Sequence, residues 1–168
     1  IAKVNASALL RGARGNSGVI TSLLFRGFAK GMGDDEFATP ENISAAFELG
    51  VDAAYKAVMK PTEGTILTVA RVASEKAKEA YENGGDELAV FEAALSGAKE
   101  ALATTPELLP VLKKAGVVDA GGRGFVVILE GMLSVLRDGV VIAANNAPAA
   151  ENTEEESSVN AAGEFETE

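Results

Sequence analysis

The sequence predicts an all-α domain, arranged as an up-and-down bundle or a helical barrel. Two observations carry this expectation. Apolar residues recur at spacings of three and four along most of the chain, the period of a single helix face. Between these stretches stand short clusters of Gly, Pro, Thr, Asp and Asn, the residues that start and stop helices. Composition agrees with both. Hydrophobic residues make up 47% of the 168, Trp is absent and aromatics are 5%, so the core is expected to be Leu, Val, Ile and Ala. Alanine, which supplies much of the apolar content, favours helix and close helix packing. The length suffices for one domain with a sizeable core.

Taken in order, Ala2 to Leu10 reads as the end of a helix. The glycine-rich stretch Gly12-Ala13-Arg14-Gly15-Asn16-Ser17-Gly18 follows, with Asn16 or Ser17 as N-cap. A second helix runs from Ser17 or Gly18 to about Met32. Gly27 and Gly31 sit inside it at i, i+4, which implies a close neighbour along that side. Thr39 caps a third helix with Pro40 at its first position. Its apolar stripe is Ile43, Ala46, Phe47, Gly50, Val51, Ala54 and Val58, and it should end near Lys60, ahead of Pro61.

Thr62-Glu63-Gly64-Thr65 starts a fourth helix to about Glu82, with Ile66, Val69, Ala70, Ala73, Ala77 and Tyr81 facing inward. Asp86 caps a fifth, whose seam is Leu88, Phe91, Leu95, Ala98 and Leu102. Thr105 and Pro106 are expected to open a short helix to about Lys114. A second glycine-rich stretch, Asp119-Ala120-Gly121-Gly122-Arg123-Gly124, precedes a last helix over Phe125 to Leu136. That helix is apolar almost all round, and so is expected to be buried. Val140 to Ala144 reads as a short strand or a fray. Residues 140–162 have the composition of an acidic disordered linker, and 163–168 are expected to begin a further domain.

Composition also excludes functions. The net charge of −10 argues against a nucleic-acid partner, which needs basic surface. Seven glutamates between Glu151 and Glu168 supply part of that charge. With no Cys and no His, thiolate and imidazole chemistry is excluded within the chain, and a cytoplasmic setting fits. No run of apolar residues is long enough for a transmembrane segment. Adjacent acids at Asp34-Asp35-Glu36 read as a solvated loop, and no metal ligand is assigned.

Three stretches stand out: Gly12–Gly18, Pro61–Leu67 and Asp119–Gly124. Each lies just before a helix. A helix start with free N–H groups and the positive end of its dipole can hold an anion, and glycine lets the backbone approach a ligand closely. Each also has a plain reading, as a close-packing turn or an ordinary cap. Strict alternation of seven helices would put the first two stretches at one end and the third at the other, unless the short helix lies across the bundle. If the three meet, a polyphosphate is the ligand they suit. Arg14 and Arg123 either add charge there or are solvated.

Together, in this order, Gly12-Ala13-Arg14-Gly15-Asn16-Ser17-Gly18-Val19-Ile20, Pro61-Thr62-Glu63-Gly64-Thr65-Ile66-Leu67 and Val118-Asp119-Ala120-Gly121-Gly122-Arg123-Gly124 resemble the nucleotide-binding domain of the dihydroxyacetone kinase superfamily. The resemblance covers residues 1–139 and is closest to the A subunit of bacterial fatty acid kinase. It implies an antiparallel barrel of eight helices, with the first lying upstream of Ile1. It also implies ATP with Mg²⁺ as cofactors. Asn16, Ser17 and Gly18 would approach the phosphates, Thr65 would line the pocket, and Asp119 and Gly121 would form another side. The family's Mg²⁺ ligands, aspartates in an Asp-Gly-Asp-Thr-Gly type motif, are expected upstream of Ile1, so the chain alone is expected to be inactive. The implied reaction transfers the γ-phosphoryl group to a fatty acid carboxylate held by a separate fatty-acid-binding protein partner. A homodimer through domains outside the chain is compatible with this. The alternatives are a dihydroxyacetone kinase-type subunit and a non-catalytic helical scaffold.

Overall fold

The computed structural model describes residues 1–34 and 37–139. The linker at 140–162, the strand or fray at Val140–Ala144, the further domain at 163–168, and Asp35 and Glu36 of the acidic loop lie outside the described residues.

Within them the fold is all-α: α1 (Ala2–Gly12), α2 (Gly15–Gly31), α3 (Pro40–Ala57), α4 (Ile66–Glu82), α5 (Glu87–Leu108), α6 (Pro110–Ala115) and α7 (Ala120–Asp138). The long helices pack in antiparallel sequence. α1 lies on α2, α2 on α3, α3 on α4 and α4 on α5, and α7 closes against α4 and α5. Lys99 pairs with Glu130 at 2.8 Å between α5 and α7, and Lys3 pairs with Asp34 between α1 and the loop after α2.

The core holds most of the predicted stripe residues, but Phe47, Phe91 and Phe125 join the expected Leu, Val, Ile and Ala. Ile43, Ala46, Phe47 and Ala54 of α3, Ile66, Val69, Ala70, Ala73 and Ala77 of α4, and Phe91, Leu95, Ala98 and Leu102 of α5 are all buried. Phe47 stands at its centre, edge-on to Phe28 and to Phe91 with ring centroids 5.5 Å apart in each pair. Such edge-to-face pairs add to the burial of the rings themselves. Tyr81 departs from the expected inward face and is exposed.

The expected close approach at Gly27 and Gly31 is present. α2 and α3 cross backbone to backbone, with Gly27 against Leu49 and Gly50, and Gly31 against Ala45 and Ala46. A Cβ on Gly50 would lie 2.8 Å from the Leu24 carbonyl oxygen. This crossing is possible only because the facing positions lack side chains.

Four boundaries differ from the sequence reading. α2 starts at Gly15, with Arg14 as N-cap and no capping side chain, so Asn16 and Ser17 lie in its first turn and do not cap it. α3 stops at Ala57, because Val58 turns extended and packs against the core, and Lys60 precedes a proline. α5 continues through Pro106 to Leu108. A proline inside a helix leaves the carbonyl four residues back without its amide partner. Here the Thr105 hydroxyl donates to that carbonyl, Leu102 O, at 2.7 Å. Thr105 is therefore a patch within α5 and not a cap, and the short helix opens instead at Pro110. α7 begins at Ala120, so the second glycine stretch forms its first turns.

α7 also departs from the expected all-round burial. Phe125, Val126, Leu129 and Leu133 are buried, whereas Val127, Ile128, Val135 and Leu136 are exposed. The helix packs on α4 and α5 along one side, and the other apolar residues have no helix over them among the described residues.

Candidate functional site

The order of the helices brings three N-termini to one end of the bundle. α2 starts there and runs away, α3 returns, α4 leaves again and α5 returns. The six-residue α6 is then only a connection, so α7 starts at the same end as α2 and α4. Simple alternation would have separated them. It fails because the short helix, α6, has only six residues and does not form a wall of its own.

The meeting is close. A Cβ placed on Gly121 would lie 3.4 Å from Ser17 Oγ and 3.4 Å from Ile66 Cβ. Ser17 of α2, the first residue of α4 and the first turn of α7 are thus in contact distance around one glycine. Thr65 adjoins Ile66 as the α4 N-cap, and Asp119 is the α7 N-cap. Asn16 and Ser17 are exposed at the rim, and Gly18, Thr65, Asp119 and Gly121 are half-buried. Gly15 takes φ +63°, and Gly64 takes φ +81°, a region that disfavours other residues.

The polar groups divide into those already engaged and those left over. Thr65 donates its hydroxyl to Thr62 O at 2.8 Å and accepts from the Leu67 amide at 3.3 Å. Asp119 Oδ2 accepts from the Gly122 amide at 2.7 Å, and its own amide donates to Thr105 Oγ1 at 3.1 Å. Both are working caps. The first amides of a helix have no partner within it. With Gly122 taken, the amides of Ala120 and Gly121 remain at α7. At α2 no side chain caps the first turn, and the Ser17 hydroxyl lies beside those amides. Three positive helix ends therefore face one small region. Arg14 turns away, donating to the carbonyls of Ala13 at 2.9 Å and Arg11 at 3.5 Å. Arg123 is exposed on α7.

The sequence reading missed Glu63. Its carboxylate accepts from Tyr55 Oη at 3.3 Å, Thr68 Oγ1 at 2.8 Å and Arg71 Nη2 at 3.1 Å. Periodicity could not reveal this, since Glu63 lies in the corner before α4, where helical register does not apply. The Thr68 hydroxyl, with help from Arg71 and Tyr55, holds the Glu63 carboxyl below the usual glutamate range against the opposing effect of burial. Burial pushes the Tyr55 phenol up. Because the folded Glu63 value is depressed, the stabilisation is present above the ordinary value of about 4.3 and is lost as pH falls through the folded value. An NMR titration of the Glu63 carboxyl carbon is expected to show a midpoint below that of a glutamate in an unfolded peptide. A midpoint at or above it would mean that the three donors do not act on the carboxylate in solution.

The donor set fits a phosphate, since it consists of amide hydrogens, a hydroxyl and helix dipoles. It does not fit a divalent cation. Among the described residues no group of three or more carboxylates stands together, and Asp119 Oδ2 already caps the Gly122 amide. An open groove of about 550 Å³ leads from the glycine turn between α1 and α2, lined by Asn5, Leu9, Ala13, Gly18, Thr21 and Phe25. The apolar pocket lined by Phe28, Phe47 and Phe125 has only about 20 Å³, too little for a ligand. No helix among the described residues is long and apolar enough to cross a membrane.

The chain is similar to known proteins over most of this domain. The family model described as the DAK2 domain matches residues 1–134. Protein YloV of Bacillus subtilis is 52% identical over 132 residues, 79% of this chain and 24% of that protein. An uncharacterised protein of Staphylococcus saprophyticus is 47% identical over 137 residues, 82% of this chain and 25% of its own length. One from Staphylococcus haemolyticus is 48% identical over 136 residues, 81% of this chain and 25% of its length. The chain thus spans about a quarter of the curated relatives it matches.

Proposed function

The chain belongs to the DAK2 domain family, within the dihydroxyacetone kinase superfamily, and on that premise we propose that it is the ATP-holding domain of a cytoplasmic kinase. The phosphoryl acceptor we favour is a fatty acid carboxylate presented by a separate lipid-binding protein, with an acyl phosphate as product. The observation that supports the reading is the convergence of Ser17 Oγ and Ile66 Cβ on Gly121, each 3.4 Å from where a Cβ on that glycine would stand, so that three helix starts surround one point.

In this reading the chain's own task is to bind and orient the triphosphate. The uncapped amides at Asn16 and Ser17 and the Ser17 hydroxyl take one side of it, and the amides of Ala120 and Gly121 take another. Thr65 reaches the phosphates only by redirecting its hydroxyl from Thr62 O. Fixed donors of this kind need little reorganisation as charge moves during transfer. Mg²⁺ would neutralise charge between the β- and γ-phosphates when present, but its ligands are not assigned to these residues. The isolated chain is accordingly expected to show no ATP turnover.

The test is the pair Ser17→Ala and Thr65→Val combined in the full-length protein. Two hydrogen bonds to a charged group at about 1.5 kcal/mol each amount to about a hundredfold loss of ATP affinity. Losing the Thr65 cap costs about 1 kcal/mol of stability, so melting is followed in parallel. A folded double variant with unchanged ATP affinity would leave only a helical scaffold. Acceptor choice is read separately, as phosphate transfer to carrier-bound fatty acid against transfer to dihydroxyacetone.

A further inference from the structure

The corner before α4 is built around one side chain. Glu63 joins α3 to α4: Tyr55 comes from α3, and Thr68 and Arg71 come from α4. The Thr68 hydroxyl is a relay. It donates to Glu63 Oε2 at 2.8 Å and accepts from the Gly64 amide at 2.8 Å. A hydroxyl has one proton, so the carboxylate that takes it turns the oxygen lone pairs towards Gly64. Arg71 is held from its other side by Glu75 Oε1 at 2.8 Å, which fixes the guanidinium against Glu63. On its far side the corner abuts the end of α5. A Cβ on Gly64 would lie 2.9 Å from Leu108 Cβ and 2.9 Å from Leu109 Cγ. The backbone at Gly64 is thus gripped between α5 and the Glu63 cluster, and the next two residues are Thr65 and Ile66, at the rim.

We propose that Glu63 is the positioning residue of this rim, holding the Gly64–Ile66 backbone in register with Ser17 and Gly121 so that the start of α4 meets the phosphates. This deepens the nucleotide reading and rests on it. In this arrangement Glu63 acts through the backbone and not by contact with the nucleotide. Its side chain is 51% exposed, so its removal should leave the bundle folded while the corner loosens. The lowered carboxyl range of Glu63 is consistent with a group kept ionised by its three donors.

The experiment is ATP titration of the full-length protein, with amide exchange and melting measured on the same samples. Glu63→Ala is expected to weaken ATP binding by about tenfold, the scale seen when a supporting group is removed behind fixed binding groups. Melting should change little. Exchange at Gly64 should quicken, and exchange at Gly122, capped independently by Asp119, should not. Glu63→Gln keeps an acceptor oxygen for Thr68 and should rescue most of the affinity. Tyr55→Phe combined with Arg71→Met removes two of the donors without touching the corner, and should weaken binding in the same direction. Wild-type affinity in Glu63→Ala, or in the double variant if Glu63→Ala does not fold, would overturn the proposal. So would Glu63→Gln binding as poorly as Glu63→Ala while Gly64 remains protected, since the carboxylate would then act on the ligand directly. If the wild-type protein binds no ATP, the nucleotide reading itself falls and takes this proposal with it, which the variants alone would not do.

Discussion

Gly27→Ala and Gly31→Ala will each destabilise the domain by about 3 kcal/mol or more, the upper range for overpacking a tight contact. Alanine is favoured over glycine inside a helix by about 1 kcal/mol, so propensity alone predicts the opposite sign. Packing wins because the new methyl meets backbone. At Gly27 it would fall on the Leu49 carbonyl and the Gly50 Cα, and at Gly31 on the backbone of Ala45 and Ala46. A side-chain neighbour could rotate aside, but a helix backbone cannot, so α2 and α3 must separate. Gly124→Ala is the internal control: it lies in α7, and a Cβ there would have nothing within 4 Å. That variant should gain up to about 1 kcal/mol from propensity. Urea unfolding of the three variants reads the contrast directly. A Gly27→Ala midpoint at or above that of the wild type would mean that the α2–α3 crossing is wider than described. Separation of α2 from α3 would also shift Ser17, so ligand binding should suffer with stability.

Thr105→Val is expected to cost about 2–4 kcal/mol, although it preserves shape. Thr105 is fully buried at 0% exposure, and its hydroxyl serves two backbone groups. It donates to Leu102 O, which Pro106 cannot serve, and it accepts from the Asp119 amide. Valine leaves both without that partner; the buried Leu102 carbonyl then costs about 1–3 kcal/mol and the part-buried Asp119 amide about 1 kcal/mol. Thr105→Ser keeps the hydroxyl and loses one methyl, a loss of about 1 kcal/mol. The order wild type, Ser, Val in thermal melting is therefore the expected result. Serine worse than valine would show that the methyl, not the hydroxyl, holds the site together. Because the Asp119 amide is one of the two groups, Val should also speed exchange at Asp119 and loosen the start of α7 beside Ser17.

Much of the fold was legible because its signals are local. Thr39 with Pro40, and Asp86, do start helices, and each side chain caps its helix. Most of the stripes on α3, α4 and α5 are buried as their spacing requires, with Tyr81 exposed and Val51, Val58 and Leu88 half-buried. The i, i+4 glycines announced a tight crossing, since only a nearby backbone gives two glycines one helical turn apart a purpose. Other features were not legible, for a common reason. Pro106 reads as a helix start unless one knows that Thr105 is folded against Leu102 O. The second glycine stretch reads as loop unless Asp119 is seen gripping Gly122. Glu63 reads as one more surface acid until Tyr55, brought from a different helix, is placed beside it.

The sequence by itself determined that the chain is helical, which faces of α3, α4 and α5 are buried, and which three stretches carry unusual backbone chemistry. These follow from periodicity and capping, which act within a few residues. Only the tertiary structure decided that α6 is a connection, that one apolar side of α7 lies uncovered by the described residues, and that Ser17, Ile66 and Gly121 share one rim. Those depend on contacts between residues far apart in the chain, whose geometry is set by how closely whole helices can approach.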